Sequence, residues 1–272
     1  MRGGVLFVQS SYTGIGLLRE AKAQAAVKWP AEISSLVDNL AVPHRKTENL
    51  TYDGVVVLLA ATYETYVRDT IEAICREIEC RIPNFDGLNE KIRSANARAT
   101  GSVLSRHSEK RYSQFNYLDL SKCLGTCFLG SAKYQLNSGP LAAHDRNLDS
   151  NELKLLFKRV GIENLWGAIG ATSPIQTHFT ITDPEIAQKT AAAKLDEFIL
   201  LRNQMAHAGS RSSSIGPDSL IQWLDFFLTL MESLLLIVSE YCKNLVPVPS
   251  ATVVSTVPGT LPPVSHSGSS SP

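Results

Sequence analysis

At 272 residues with 44% hydrophobic content, the chain is long enough to bury one substantial core and a small appendage. Its 26 Lys and Arg are cancelled by 26 Asp and Glu, which excludes a strong global field for drawing in nucleic acid; such a contact must come from a local basic surface. The five cysteines, Cys75, Cys80, Cys123, Cys127 and Cys242, form neither a secreted disulfide framework nor a paired C-x2-C metal spacing, and read as reduced thiols.

The start, Met1-Arg-Gly-Gly and a short apolar run, lacks the layout of a signal peptide, so the expected compartment is the cytoplasm. Residues 1–49 read as an N-terminal helical extension. It holds one weak helical stretch at 16–28, ended by Trp29-Pro30, and a second at 31–40, ended by Val42-Pro43. A long helix is expected over 52–82, where Leu59, Tyr63, Tyr66, Val67, Ile71, Ile74 and Ile78 recur at helical spacing until Pro83. Val55-Val-Val-Leu-Leu alone suits a strand, but it runs into the helical period without a turn signal, so it is assigned to the helix.

Residues 84–150 read as an irregular insert of short helices and loops, because Gly87, Gly101, Gly125, Gly130 and Gly139-Pro140 interrupt any long pattern. Within it, Lys91, Arg93, Arg98, Arg106, Lys110 and Arg111, with His107, are followed by Tyr112, Phe115 and Tyr117. Cations beside aromatics make this stretch a candidate surface for single-stranded RNA; the plainer alternative is a solvated helix face followed by core aromatics. Ser150 is expected to cap a helix over 151–160 that stops at Gly161.

Asp183, Pro184 and Glu185 supply a cap, a first-position proline and an acidic first turn for a helix running to about His207. Gly216-Pro217-Asp218 opens a last Leu- and Phe-rich helix ending near Lys243-Asn244. Asp225, Glu232 and Glu240 interrupt its apolar run, which argues for a buried amphipathic helix and against a membrane partner. Residues 246–272, rich in Pro, Ser, Thr and Val, are expected to be a disordered tail. With no strand series, the predicted class is all-α: a helical bundle with an irregular, mostly helical insert.

Several motifs are set aside. Gly14-Ile-Gly16 lacks the third glycine of a dinucleotide loop, and His144-Asp145 has no nucleophile signature beside it. His44, His107, His178 and His266 show no ligand spacing, so no metal and no cofactor is expected.

The most informative residues lie at the end of the helix over 184–207. At about 100° per residue, Leu195, Phe198, Ile199 and Ala206 share one apolar stripe, Arg202 falls inside it, and Asn203 and His207 lie on its flank. A guanidinium on a packing face needs a carboxylate, a polar cleft or an anionic ligand opposite it. His207, in the last turn before Gly209, sits where the helix dipole favours the protonated imidazole and can hold its pKa near neutrality. On these residues alone, a candidate RNA-cleaving pair and a structural Arg beside a surface His remain open.

Arg202-Asn203-Gln-Met-Ala-His207 resembles the Arg-x4-His motif of HEPN-domain ribonucleases, and the surrounding helix resembles the RiboL-PSP-like branch of that family. Leu58-Leu-Ala-Ala-Thr-Tyr-Glu64-Thr-Tyr-Val-Arg68 is similar to the first long helix of the family, and Leu153-Lys-Leu-Leu-Phe-Lys-Arg-Val-Gly161-Ile to the short helix before the motif helix. The resemblance spans roughly residues 50–243 and implies a HEPN-like helical domain over 50–245 that includes the insert.

It also implies a metal-independent endoribonuclease, of the kind found among toxins and antiviral effectors. Such an enzyme cuts RNA by attack of the 2′-hydroxyl and leaves a 2′,3′-cyclic phosphate and a 5′-hydroxyl. Arg202, Asn203 and His207 would be its catalytic residues; Glu64 and Asp196 are not carried by the resemblance but are candidates to orient the Arg or His, because they lie on long helices near the expected cleft. The implied partners are the RNA substrate, a second copy of the chain facing the first across a two-fold axis, and an inhibitory or antitoxin protein. Two alternatives from other classes stand beside it: a non-catalytic helical dimerisation module held by Arg202 and His207, and a regulator that binds RNA without cutting it.

Overall fold

The long apolar repeat over 52–82 does form a helix, and that helix organises the rest of the molecule. In the computed structural model, the backbone is described for residues 31–129, 133–207 and 217–246, and side chains for 53–129, 133–206 and 218–246. Among these residues there are nine α-helices and no strand. The first, α1 (Ala31–Arg81), carries Val56, Tyr63, Val67, Ile71, Ile74 and Ile78 on its buried face. Tyr66 is only partly buried, and its hydroxyl donates to the Met231 carbonyl oxygen at 2.9 Å.

One expectation about this helix is corrected: the stop at Val42-Pro43 is absent, and α1 runs without a break through residues 49 and 50, where the sequence reading divides extension from domain. Pro43 removes one amide donor from the helical ladder, but helical backbone continues on both sides of it. The expected helix at 16–28 and the tail beyond residue 246 lie outside the described residues.

The insert is more regular than its glycines suggest. It forms α2 (Glu90–Ser105), α3 (Tyr117–Phe128) and α4 (Ser138–Ala142), with short 3₁₀ turns at Phe85–Gly87 and Lys110–Tyr112. Gly101 and Gly125 sit inside α2 and α3 rather than ending them. A single helical glycine costs only about 1 kcal/mol relative to alanine, which packing elsewhere on the same helix can offset. That packing comes from Ile92, whose side chain joins the main core with Phe85, Leu88, Tyr134, Leu136 and Leu141.

A buried polar group locks the insert together. Asn137 donates from its side chain to Thr100 Oγ1 and the Leu120 carbonyl, both at 3.0 Å, while its backbone amide donates to Asn96 Oδ1 at 2.9 Å. These bonds join α2, α3 and the start of α4 with few buried polar atoms left unmet.

The remaining helices are α5 (Ser150–Arg159), α6 (Leu165–Gly170), α7 (Ser173–Phe179), α8 (Pro184–His207) and α9 (Pro217–Lys243). Asp149, not Ser150, caps α5: its carboxylate accepts the Glu152 amide at 2.8 Å. Gly161 ends the helix region with φ of 97°, and a Cβ there would strike the Tyr241 hydroxyl, so only glycine fits. Helix α8 packs against α1, α5, α6 and α7. Its approach to α6 needs Gly170, where a Cβ would meet the Pro184 carbonyl.

Helix α9 is long and apolar enough by composition to cross a membrane, and is the one such helix among the described residues. One of its faces is committed to the core through Trp223, Phe226, Phe227, Leu230 and Leu234. All five cysteines are free, with Cys75, Cys127 and Cys242 buried.

Candidate functional site

Helix α8 starts as its sequence predicts. Asp183 Oδ1 accepts the backbone amides of Glu185 at 2.8 Å and Ile186 at 3.3 Å, and Pro184 occupies the first helical position. Its buried stripe is Ala187, Ala191, Leu195, Phe198 and Ile199, steps of three and four residues that face the core. Phe198 is held edge-on by Phe227 at 4.6 Å and Trp223 at 5.3 Å. This aromatic contact fixes the helix one turn before Arg202. The expected stripe is corrected at one position: Ala206 is exposed, because α8 has passed the end of the core there.

Arg202 is half-buried, and the way its guanidinium is held is unusual. Nη1 donates to Asn147 Oδ1 at 3.1 Å and to Asn203 Oδ1 at 3.2 Å. Both acceptors are neutral amide oxygens, and no carboxylate among the described residues forms an ion pair with the group. Nε is buried without a hydrogen-bond partner. Of the five guanidinium donors, only those on Nη1 make hydrogen bonds among the described residues, and Nε is buried. The charge is positioned without a counter-charge among the described residues.

Asn147 was not singled out by the sequence, since it sits in a connecting loop without a motif. Its position follows from its neighbours. Leu148 is fully buried, Asp149 caps α5, and the Asp149 amide donates to the Asn147 carbonyl at 2.8 Å. The loop is therefore pinned to the core and presents a rigid acceptor to Arg202.

Among the described residues, neither supporting candidate forms a hydrogen bond or ion pair with Arg202. Both carboxylate oxygens of Asp196 accept from Ser150, from its amide and its hydroxyl, each at 2.8 Å. Asp196 thus ties α8 to the first turn of α5, where the helix dipole favours an anion. Glu64 lies on α1 beside Tyr63, whose hydroxyl is fully buried and unpartnered. Burial first, and then the charges of Glu64, Asp149 and Asp196, push the Tyr63 phenol well above its ordinary range, so it stays protonated. Tyr63 was read from the sequence only as a core residue.

His207 is the final residue of α8, and its side chain and Gly209 lie outside the described residues. Its backbone position, five residues after Arg202, sets the two groups about 140° apart around the helix.

The candidate RNA-binding cations divide into separate places. Lys91, Arg98 and Arg106 line a cleft of about 720 Å³ between α2 and α5, joined there by Arg146, Lys158 and Arg159. Arg93 points elsewhere and pairs with Asp86 at 3.3 Å. Arg111 pairs with Asp145 at 3.4 Å and Glu109 at 3.5 Å, while Lys110 lies on the exposed 3₁₀ turn. The expected aromatic platform is corrected. Tyr112 is buried, donates its hydroxyl to Asp145 and packs with Phe115, leaving Tyr117 as the exposed ring of the three. These rings build a satellite core under the insert because α3 folds back on α2.

Comparison with curated proteins and with solved structures found no match. The family model described as RiboL-PSP-HEPN matches residues 31–240, from the first described residues of α1 nearly to the end of α9. The match takes in the insert and the part of α1 assigned by sequence to an extension, and it covers most of the chain. The chain therefore belongs to the RiboL-PSP-HEPN family.

Proposed function

We propose that the protein is a metal-independent endoribonuclease that uses Arg202, Asn203 and His207. The observation that carries this reading is the Arg202 guanidinium, fixed by two amide oxygens with its Nε unpartnered and no carboxylate against it. A structural arginine would be neutralised by its surroundings. One held rigid but unneutralised is suited to receive an anion such as a phosphodiester.

In this mechanism Arg202 holds the scissile phosphate and stabilises the additional negative charge of the pentacoordinate transition state. His207 exchanges protons with the attacking 2′-hydroxyl or the leaving 5′-oxygen. The 2′-oxygen forms a bond to phosphorus as the bond to the 5′-oxygen breaks, leaving a 2′,3′-cyclic phosphate and a 5′-hydroxyl. Asn203, hydrogen-bonded to Arg202, keeps the guanidinium aimed.

The separation of about 140° between Arg202 and His207 on one helix favours a shared site built by two copies of α8 across a two-fold axis. Such an enzyme would act in the cytoplasm as a toxin or defence effector, restrained by a dedicated inhibitor protein. Family membership and the uncompensated Arg202 charge support this reading over a purely structural dimerisation module.

The test is incubation of purified protein with RNA in excess EDTA, with the product ends mapped. Cyclic phosphates with 5′-hydroxyls are expected, and replacement of the 2′-hydroxyl at the cut by 2′-O-methyl should abolish them. Mixing Arg202→Ala with His207→Ala protomers should restore activity absent from either alone, because one of the two shared sites then regains both groups. Light scattering showing only monomer, or RNA left intact by the wild type, would contradict the proposal.

A further inference from the structure

One loop links the cleft between α2 and α5 to Arg202. His144, Asp145 and Arg146 line the cleft, and the next residue, Asn147, holds the Arg202 guanidinium. Consecutive Cα atoms are only about 3.8 Å apart, so the backbone of this loop forms the partition between cleft and guanidinium.

The lining is strongly cationic. Lys91, Arg98, Arg106, Arg146, Lys158 and Arg159 face Asp145 and Glu152, six positive groups against two negative ones. Both acids are already engaged: Asp145 binds Arg106 at 2.7 Å, and Glu152 pairs with Arg159 at 3.6 Å. Glu163, at the rim, is taken by Lys91 at 2.5 Å. Arg98, Arg146 and Lys158 are exposed and form no ion pair among the described residues. Their charge is available to a ligand.

The shape selects among anions. On α2 and its C-cap the cations Lys91, Arg98 and Arg106 recur on one side over roughly 22 Å, far longer than one phosphate group. Ala95, Ala99 and Ser102 lie between them and leave the floor open. The rings that could have stacked bases, Tyr112 and Phe115, are packed into the satellite core, so the cleft is equipped to hold phosphates rather than read bases. A slot of about 720 Å³ between two helices admits one strand. Duplex RNA is instead recognised across its wide minor groove by a broad protein face.

We infer that the cleft between α2 and α5 is a binding groove for the sugar-phosphate backbone of single-stranded RNA, carrying the strand onward from the phosphate held at Arg202. This deepens the ribonuclease reading by naming where the substrate lies beyond the cut. It also gives the basic residues of the insert a role that overall charge neutrality would hide.

The experiment uses the full chain and a non-cleavable 2′-O-methyl RNA, with binding followed by fluorescence anisotropy over a range of salt concentrations. The triple variant Arg98→Gln, Arg146→Gln, Lys158→Gln should bind at least about ten-fold more weakly, and its logarithmic salt slope should shrink by about 2, near 0.7 for each lost phosphate contact. The control Lys189→Gln, Lys243→Gln should bind as the wild type does. Photocrosslinks from 4-thiouridine RNA to the wild type should map to α2, α5 and residues 143–147.

Unchanged affinity and slope in the triple variant, or crosslinks confined to other surfaces, would overturn the groove. If His207-dependent cleavage persists in that case, the ribonuclease reading stands without it. If instead the wild type binds through these residues but leaves cleavable RNA intact, the groove stands and the ribonuclease reading fails.

Discussion

Arg159 and Arg202 are both partly buried arginines near the ends of helices that pack on each other, yet they are treated in opposite ways. Arg159 Nη1 donates to the Leu141 and Ala143 carbonyls at 3.0 and 2.6 Å, and its Nη2 pairs with Glu152. Its surroundings answer its donors and its charge, and it joins α5 to the end of α4. Among the described residues Arg202 has two neutral amide oxygens and no counter-charge. Burial near a backbone therefore does not by itself identify a structural arginine; the inventory of its acceptors does. Arg159 belongs to the frame, whereas Arg202 is held by the frame without being neutralised among the described residues.

The contrast can be broken by exchanging which arginine is removed. Arg202→Ala should lower RNA cleavage by about 10² to 10³-fold, the usual effect of deleting a transition-state charge donor. It should cost only about 1 kcal/mol in stability, because two bonds to neutral amides are lost and no buried carboxylate is stranded. Arg159→Ala should do the reverse. It leaves the nearly buried Glu152 carboxylate unpaired and two carbonyls without a donor, a loss of about 2–4 kcal/mol visible in thermal denaturation. Equal destabilisation by the two variants would remove the distinction.

A smaller effect sharpens the comparison. Asp196→Asn retains the size of the side chain but weakens its two bonds to Ser150, and should cost about 1 kcal/mol. Because Asp196 binds the start of α5 rather than Arg202, cleavage by the folded variant should stay within a few-fold of wild type. A loss as large as that of Arg202→Ala would instead place Asp196 in the chemistry.

Much of this architecture is legible in the sequence where one signal dominates. The apolar period of α1, the Asp183-Pro184-Glu185 start of α8 and the Pro217 start of α9 each have a local physical cause, and each element is where that cause puts it. The misreadings arise where tertiary contacts outweigh local propensity. Gly101 and Gly125 do not stop their helices because the buried Asn96, Thr100 and Asn137 group holds α2, α3 and α4 together. Ser150 lost the cap to Asp149 because its own hydroxyl is claimed by Asp196 from 46 residues away.

The site was legible only in part. Arg202 stands out as a cation on an apolar face, but its acceptor Asn147 is a loop residue 55 positions earlier, with no periodic or motif signal. The cleft is similar: Lys91, Arg98 and Arg106 form a visible basic run, whereas Arg146, Lys158 and Arg159 join it only after folding.

The central claim is that Arg202 receives the phosphate and His207 moves the proton. The most direct measurement compares His207→Ala with wild type, using one RNA in both a cleavage assay and a binding assay, after circular dichroism has established that the variant is folded. The account predicts that cleavage falls by about 10² to 10⁴-fold, the range for loss of a general acid or base, while affinity for non-cleavable RNA is retained. A well-folded His207→Ala protein that cuts RNA at the wild-type rate would contradict it.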